Sequence, residues 1–263
     1  LFRSLMEAFR GEDVSAYRRR HLLVRLQREG VLVQGPRRGN EHLVVDAAPF
    51  PSADSGPAGA GVARGQPGHT AALAEIARRY ATSHGPISAG DLARWTTLPK
   101  REAARALENA VEETTATSYR ADTARARVPL VRARADGGVR GRLRILGVGE
   151  SAPRTGLLYL RADLPELLEA ARRQALAARF LASFDELHVG YKDRSCLTGE
   201  AGERLICPAA NGMFRPLLVD RGRLVGVRPV GEGVLWLDGA APSARVERDI
   251  TRAVAAVEKR LAR

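Results

Sequence analysis

Apolar residues recur at helical spacing over residues 15–29, and two short runs with strand-like patterning follow. The apolar pattern over residues 15–29 predicts a helix, which Gly30 can end in a left-handed conformation. The runs at 31–34 and 42–45 predict two strands, with the residues between them forming a tight connection. A helix followed at once by a hairpin is the back half of a winged helix, so residues 1–48 are predicted to form a partial one.

A second set of helices follows a segment that has no core pattern. Residues 49–69 contain four prolines and five glycines among small residues, which predicts a flexible linker. Apolar positions then predict a helix near 70–83, which Gly85-Pro86 interrupts. We expect a winged-helix domain over residues 70–145.

The residues after this break predict a helix-turn-helix. Ser88 and Asp91 have the spacing of a capping box at the start of a short helix, and we expect Leu92 and Trp95 to face inward. Pro99 is well placed at the start of the next helix. Strands near 117–120 and 128–133 are expected to supply the wing.

Basic side chains on these elements are candidate DNA contacts. Lys100, Arg101 and Arg105 lie away from the apolar stripe of the second helix, where they can reach phosphates or the major groove. The alternative is an ordinary solvated helix face. Arginines also alternate with smaller residues around a hairpin at 125–145, and period-two spacing puts them on one face of each strand. The hairpin and wing candidates are Arg132, Arg134, Arg140, Arg142, Arg37 and Arg38.

The last part of the chain, residues 146–263, is predicted to be a β-rich domain with flanking helices. We expect helices over about 163–180 and 243–261, and a hairpin over 219–227. Together with the preceding units, this predicts an α+β fold of tandem winged-helix units with a small C-terminal β domain and a terminal helix.

Residues 184–194, FDELHVGYKDR, concentrate titratable groups within this domain. Lys192 and Arg194 are candidate DNA contacts, and Asp185 is the carboxylate best suited to orient a water molecule. The alternative is a buried salt-bridge corner that fixes strand packing. The sequence leaves both interpretations open.

Composition favours nucleic acid as the partner. The net charge is +12, with 39 arginines and 3 lysines, and a basic surface gives salt-dependent binding to polyanions. No apolar run approaches the roughly 20 residues that span a bilayer, and no secretory signal is evident, so a cytoplasmic protein with no membrane partner is expected. No dimerisation element stands out, which favours a monomer.

The sequence predicts no metal and no cofactor. The five histidines are scattered, and the cysteines, Cys196 and Cys207, do not form a C-x-x-C motif. Phosphate-binding and dinucleotide-binding glycine motifs are absent from the sequence.

Four segments, in order, resemble the AlkZ/YcaQ-type winged-helix DNA glycosylases. They are EGVLVQGPRRGNEHLVV at 29–45, RRYATSHGPISAGDLARWTTLPKREAARAL at 78–107, FDELHVGYKDRS at 184–195 and NGMFRPLLVDRGRLVG at 211–226. The resemblance implies tandem winged helices and a small β domain that cradle duplex DNA. It also implies hydrolysis of the N-glycosidic bond of N7-alkylated purines and related adducts, including crosslinked bases.

The catalytic signature of that family is Q-x-Q or Q-x-D in its first winged helix. The glutamines of this chain, at 27, 34, 66 and 174, complete neither motif. We therefore expect the signature to lie upstream of Leu1, or the chain to be a relative without it, and assign no catalytic residue. The alternative function is a non-enzymatic winged-helix DNA-binding protein, such as a transcriptional regulator, so whether the chain is an enzyme stays open.

Overall fold

The computed structural model describes residues 15–39, 41–50, 65–66, 68–118, 128–136, 142–147, 149–150, 153 and 155–261. The chain divides into two compact units, Leu1–Arg64 and Gly65–Arg263. Three sequence predictions lie wholly or largely outside the described residues: the front of the first unit, the linker and the tip of the arginine hairpin.

The described residues of the first unit form one helix and a two-stranded antiparallel sheet. Helix α1 spans Ala16–Arg28, and strands β1 and β2 span Leu32–Arg38 and Glu41–Asp46. The Ser15 side chain caps the helix by accepting a hydrogen bond from the backbone of Arg18. Gly30 follows with φ +73°, so the predicted left-handed end of the helix is confirmed.

The connection predicted at 35–40 is shorter than expected. β1 continues to Arg38, with a register irregularity between Gln34 and Arg37. Pro36 lies within this irregularity, where its missing N–H costs no regular ladder hydrogen bond. Arg37 and Arg38 therefore lie on a strand rather than in a loop.

The second unit begins with three helices: α2 (His69–His84), α3 (Ala89–Thr96) and α4 (Lys100–Ser118). The predicted capping box is confirmed, because the Asp91 carboxylate accepts from the Ser88 backbone at 2.7 Å while the Ser88 hydroxyl accepts from the Asp91 backbone at 3.2 Å. The strand expected near 117–120 is wrong over its first half, since α4 extends to Ser118. Buried side chains from all three helices form one core, which includes Ala77, Tyr80, Ile87, Leu92, Ala103 and Leu107.

A three-stranded antiparallel sheet closes this core. Its strands are β3 (Leu130–Asp136), β4 (Arg142–Ile145) and β5 (Leu157–Arg161), in the order β4-β3-β5. Ile87, between α2 and α3, exchanges two backbone hydrogen bonds with Tyr159 of β5. β5 lies beyond residue 145, where the sequence pattern places the end of this domain, and its Leu157 and Tyr159 belong to the helical core.

The C-terminal part holds a four-stranded antiparallel sheet in the order β6-β7-β8-β9. Its elements are α5 (Leu164–Ala170), α6 (Arg172–Ala175), β6 (Arg179–Leu181), α7 (Glu186–Val189), α8 (Glu200–Ile206), β7 (Leu217–Asp220), β8 (Arg223–Val227), β9 (Leu235–Trp236) and α9 (Ala244–Leu261). Leu217 and Val219 pack on one face with residues of α8, and Leu218 packs on the other with Val246 and Ile250 of α9.

The predicted combination of helices with small β-sheets is confirmed, as are the hairpin around Arg221-Gly222 and the final helix. The single helix predicted over 163–180 is wrong: it divides into two short helices, and Arg179–Leu181 joins the sheet beside β7. Among the described residues, we find no helix with the length and apolarity needed to cross a membrane.

Candidate nucleic-acid interface

The N-terminal half of α4 presents three cations to solvent. Lys100, Arg101 and Arg105 are exposed, while Ala103 and Leu107 on the opposite side are buried in the core. Helical periodicity fixes this division, because residues three and four apart share a face. The prediction that these cations lie away from the apolar stripe is confirmed.

The other half of α4 is acidic. Glu112 and Glu113 are exposed, and Glu108 accepts a 2.6 Å hydrogen bond from the Tyr159 hydroxyl. The helix thus changes sign along its length. Its basic residues are those of the N-terminal half, which also contains Glu102 in the first turn.

Two residues of α3, the helix before α4, are also exposed. Arg94 is exposed, and the side chain of Trp95 is 49% exposed although the sequence pattern placed it inside. That prediction is wrong because Tyr80, already buried in the core, lies beneath it, with ring centroids 5.1 Å apart. An exposed indole beside cations can contact sugars or bases as well as solvent.

The hairpin arginines share a face, as period-two spacing predicts, and Arg134 lies opposite Arg144 in the register. Their guanidinium groups have partners within the protein. Arg132 lies 3.7 Å from the Glu108 carboxylate, Arg144 lies 2.9 Å from Glu150, and Arg134 donates to the Thr155 carbonyl. The backbone hydrogen bond from Gly147 and the Arg144 guanidinium lower the pKa of Glu150.

The remaining predicted contacts are dispersed along the chain. Arg37 and Arg38 are exposed at the end of β1 in the first unit. Arg140 lies outside the described residues, and of Arg142 only the backbone is described.

Lys192 is tied to the start of α3. Its backbone donates a 2.7 Å hydrogen bond to Asp91, the capping residue of that helix. A Cβ placed on Gly90 would lie 3.5 Å from the Lys192 side chain, so this side chain passes the first turn of α3. The fold thereby brings the exposed Lys192 to the start of α3, a helix that lies about 100 residues earlier in the chain.

Tyrosine hydroxyls complete this attachment. Tyr191 donates to the His84 carbonyl at 2.8 Å, and Tyr80 donates to the Gly190 carbonyl. Burial is the main cause that raises the pKa of both tyrosines, which keeps the hydroxyls protonated as donors. The FDELHVGYKDR segment is thus held on the helical core by a side chain of the core, Tyr80, and by one of its own, Tyr191.

Arg194, the last residue of this segment, lies in a polar cluster with His188 and Glu203. Its guanidinium donates to Glu203 at 2.9 Å, and the Nε2 atom of buried His188 lies 3.1 Å from the same carboxylate. Burial, followed by the nearby Arg194 charge, lowers the pKa of His188. The side chain of Arg194 is 16% exposed. This arrangement matches the salt-bridge corner that the sequence left as an alternative.

Asp185 also has a local role. It begins α7, and its carboxylate accepts a 3.0 Å hydrogen bond from the Leu187 backbone. Such a cap satisfies a helix-terminal N–H that would otherwise lack a partner.

Sequence patterns did not reveal the acidic partners Asp91, Glu108 and Glu203 as members of these clusters, although Asp91 was expected as a cap. Each joins elements distant in the chain, and no spacing rule connects them. Arg94 could have been found, since it lies two residues after buried Leu92 in a short amphipathic helix, and residues two apart do not share a face.

Comparison with known proteins identifies the family of this chain. The family model described as "DNA glycosylase AlkZ-like" matches residues 3–263. The chain belongs to the AlkZ-like DNA glycosylase family. The suspected resemblance to AlkZ-type glycosylases is thereby confirmed.

A solved structure supports the fold of this AlkZ-like chain. The structure of Streptomyces sahachiroi DNA glycosylase AlkZ superposes with a TM-score of 0.56 and 22% identity, covering 96% of this chain and 58% of AlkZ. The AlkZ-like chain thus spans 58% of the length of that relative. Among curated protein sequences, no match was found.

Proposed function

We propose that this AlkZ-like chain binds duplex DNA and serves the excision of N7-alkylated purines. Membership of a DNA glycosylase family supports a role in DNA repair. The observation that carries the binding surface is the exposed basic half of α4, formed by Lys100, Arg101 and Arg105.

The order of elements in the second unit supports a winged helix. Three helices precede an antiparallel sheet. Ile87, which lies between the first and second of these helices, forms a β-bridge with β5. In that fold α4 is the recognition helix, and β3 and β4 form part of the wing. The pairing of β5 with both β3 and Ile87 favours ending this domain at Arg161, and we assign the remainder to the C-terminal β domain.

We propose that duplex DNA lies against the basic half of α4, with Lys192 at the neighbouring start of α3. Arg37 and Arg38 supply a separate backbone contact from the first unit. Phosphate contacts of this kind position the protein on DNA without reading sequence. A lesion-processing protein needs this property, because its target occurs in many sequences.

We assign a different role to Arg132, Arg134 and Arg194. Arg132 forms an ion pair within the protein, and Arg134 and Arg194 donate hydrogen bonds to protein acceptors. Contact with a phosphate would require these groups to exchange or share a partner, so they contribute first to holding the sheet and the FDELHVGYKDR segment in place.

Base release in this proposal depends on the Q-x-Q or Q-x-D signature, whose side chains position water at the glycosidic bond. The test is release of free N7-methylguanine from a methylated duplex, first by residues 1–263 and then by a longer polypeptide that carries the signature before residue 1.

The proposal predicts duplex binding by both proteins and base release by the longer one. Release by residues 1–263 alone would place the catalytic groups within this chain and contradict the assignment. Binding by both without release by either would favour the non-enzymatic DNA-binding alternative.

A further inference from the structure

Helix α1 of the first unit carries an unusual density of positive charge. Its 13 residues, AYRRRHLLVRLQR, include five arginines and a histidine and no acidic residue. Leu22, Leu23 and Leu26 are partly buried, and the rest of its surface beyond residue 16 is mostly exposed. The exposed cations are Arg18, Arg20, Arg25 and Arg28.

Part of this charge does not serve the stability of the helix, whereas Arg25 and Arg28 in its last turn suit the helix dipole. Arg18, Arg19 and Arg20 lie near its N-terminus, and no acidic residue occupies the first turn. The positive end of the helix dipole disfavours cations there. A departure from the rules of helix stability at exposed positions is typical of a functional surface.

Most of the positive charge is also uncompensated among the described residues. There, one arginine of α1 forms an ion pair, Arg25 with Glu29 at 2.8 Å. That pair is highly exposed, so water and salt weaken it. A polyanion can therefore displace it at low cost.

Two aromatic rings lie on the same exposed side. Tyr17 is 72% exposed, and its ring centroid is 4.1 Å from that of His21. The groove that they line continues along Arg18, Arg25 and Arg28. Exposed aromatic residues among arginines are suited to sugars and bases as well as to phosphates.

In the order of elements along the chain, α1 occupies the same place in the first unit as α4 does in the second. Each is a helix with exposed arginines that precedes an antiparallel hairpin, β1–β2 in the first unit and β3–β4 in the second. A helix of 13 residues is about 20 Å long, and duplex DNA carries one charge per about 1.7 Å of its axis. The length of α1 is therefore sufficient to face several phosphates.

We propose that the exposed face of α1, formed by Tyr17, Arg18, His21, Arg25 and Arg28, is a second binding site for the sugar-phosphate backbone of duplex DNA. The proposal rests on the DNA-binding function proposed above and adds a helix of the first unit to the contacts proposed at α4 and at Arg37 and Arg38. An anionic membrane fits this face less well, because Val24 is its one markedly exposed aliphatic residue among the described ones.

The test replaces Arg18, Arg25 and Arg28 with glutamine, which removes three charges and preserves helix propensity. A matched control replaces Arg248, Arg252 and Arg260, three exposed arginines of α9, in the same way. Affinity for an unmodified duplex of about 20 base pairs is measured by fluorescence anisotropy over a series of salt concentrations. Circular dichroism checks that each variant is folded.

We expect the α1 variant to bind at least about tenfold more weakly than the wild type and to reduce the slope of log affinity against log salt by about 2 to 3. In the α9 variant, the affinity and the salt slope should differ much less from those of the wild type. Equal effects of the two variants would overturn the α1 site, because loss of net charge alone would then explain the result.

The outcomes separate this site from the proposed function. If the wild type bound no duplex, the proposed function itself would fail. Duplex binding that depends on Lys100, Arg101 and Arg105 but not on α1 would overturn only the second site. Loss of binding to phosphatidylserine vesicles in the α1 variant, with duplex affinity unchanged, would also overturn it and assign the face to a membrane.

Discussion

At the scale of single residues, Glu203 joins the FDELHVGYKDR segment to α8. Its carboxylate accepts from Arg194 and faces the buried ring of His188. Removing one member of such a cluster leaves the other partners without compensation, which costs more than an exposed pair contributes. The cluster thus secures the loop that carries Lys192.

Replacement of Glu203 with glutamine should lower the free energy of unfolding by about 1–3 kcal/mol. Urea denaturation of the variant and the wild type measures the difference. Glu200→Gln is the matched control, since Glu200 pairs with Arg204 on the exposed side of the same helix. Its effect should stay below about 0.5 kcal/mol. Equal effects of the two changes would contradict a structural role for the cluster.

His188 predicts how stability depends on pH. Burial lowers its pKa from the ordinary value of 6.5, with the Arg194 charge acting in the same direction and Glu203 opposing it. The unfolded chain therefore takes up a proton at a higher pH than the folded one. This contribution to stability is complete above about pH 6.5 and is lost as the pH falls toward the folded value.

The loss should approach about 1.4 kcal/mol per pH unit within that window. It is measured as the difference in urea midpoint between pH 7 and about pH 5, for the wild type and for His188→Gln. The urea midpoint of the His188→Gln variant should differ less between the two pH values than that of the wild type. An identical pH dependence would mean that His188 is not the responsible group.

The sequence predicts exposure of charged residues better than it predicts their partners. Lys100, Arg101 and Arg105 are exposed because helix periodicity and one apolar stripe suffice to place them. Trp95 is exposed although its position in the apolar pattern predicted burial. Whether a large side chain is buried depends on which other side chains already fill the core, and here Tyr80 does. Partner carboxylates such as Glu203 depend on the tertiary fold, which spacing along the chain does not encode.

At the scale of elements, Asp91 connects two parts of the second unit. One carboxylate oxygen accepts from Ser88 and completes the capping box, and the other accepts from the Lys192 backbone at 2.7 Å. The residue is buried. Its carboxylate thus both starts α3 and holds the loop that follows α7.

Asp91→Ala should therefore destabilise the protein more than Ser88→Ala, which removes only part of the cap. We expect about 1 kcal/mol for Ser88→Ala and about 2–4 kcal/mol for Asp91→Ala, since several donors lose their acceptor. Thermal unfolding of both variants measures the order. A larger effect of Ser88→Ala would show that the attachment of the loop contributes little.

Elements with their own local signals were predicted well, and those that depend on distant partners were not. The hairpin around Arg221-Gly222 and helix α9 carry turn residues and a clear apolar stripe. The helix expected over 163–180 fails because Phe180 and its neighbours pair with β7, a packing preference that overrides helix propensity. β1 runs further than expected because a bulge accommodates Pro36.

At the scale of the whole molecule, the net charge of +12 predicted a polyanionic partner, and the family match supports DNA. The pairing of Ile87 with β5 could not be foreseen, because some 70 residues separate these segments and Ile87 forms a single bridge. The division near residue 64 agrees with a change in composition there. Global charge and composition are thus readable from the sequence, whereas long-range strand pairing is not.

Binding of duplex DNA by the basic half of α4 is the property on which the proposed function depends. The most direct test compares the wild type with the variant in which Lys100, Arg101 and Arg105 are glutamine, and with the α9 arginine variant as control. Affinity for a duplex carrying N7-methylguanine is measured between about 50 and 200 mM salt.

We expect the α4 variant to lose at least about tenfold in affinity and its salt slope to fall by about 0.9 for each phosphate contact removed. The α9 control should retain nearly full affinity. A variant of α4 that binds as tightly as the wild type, with an unchanged salt slope, would contradict the assignment of α4 as the DNA-binding helix.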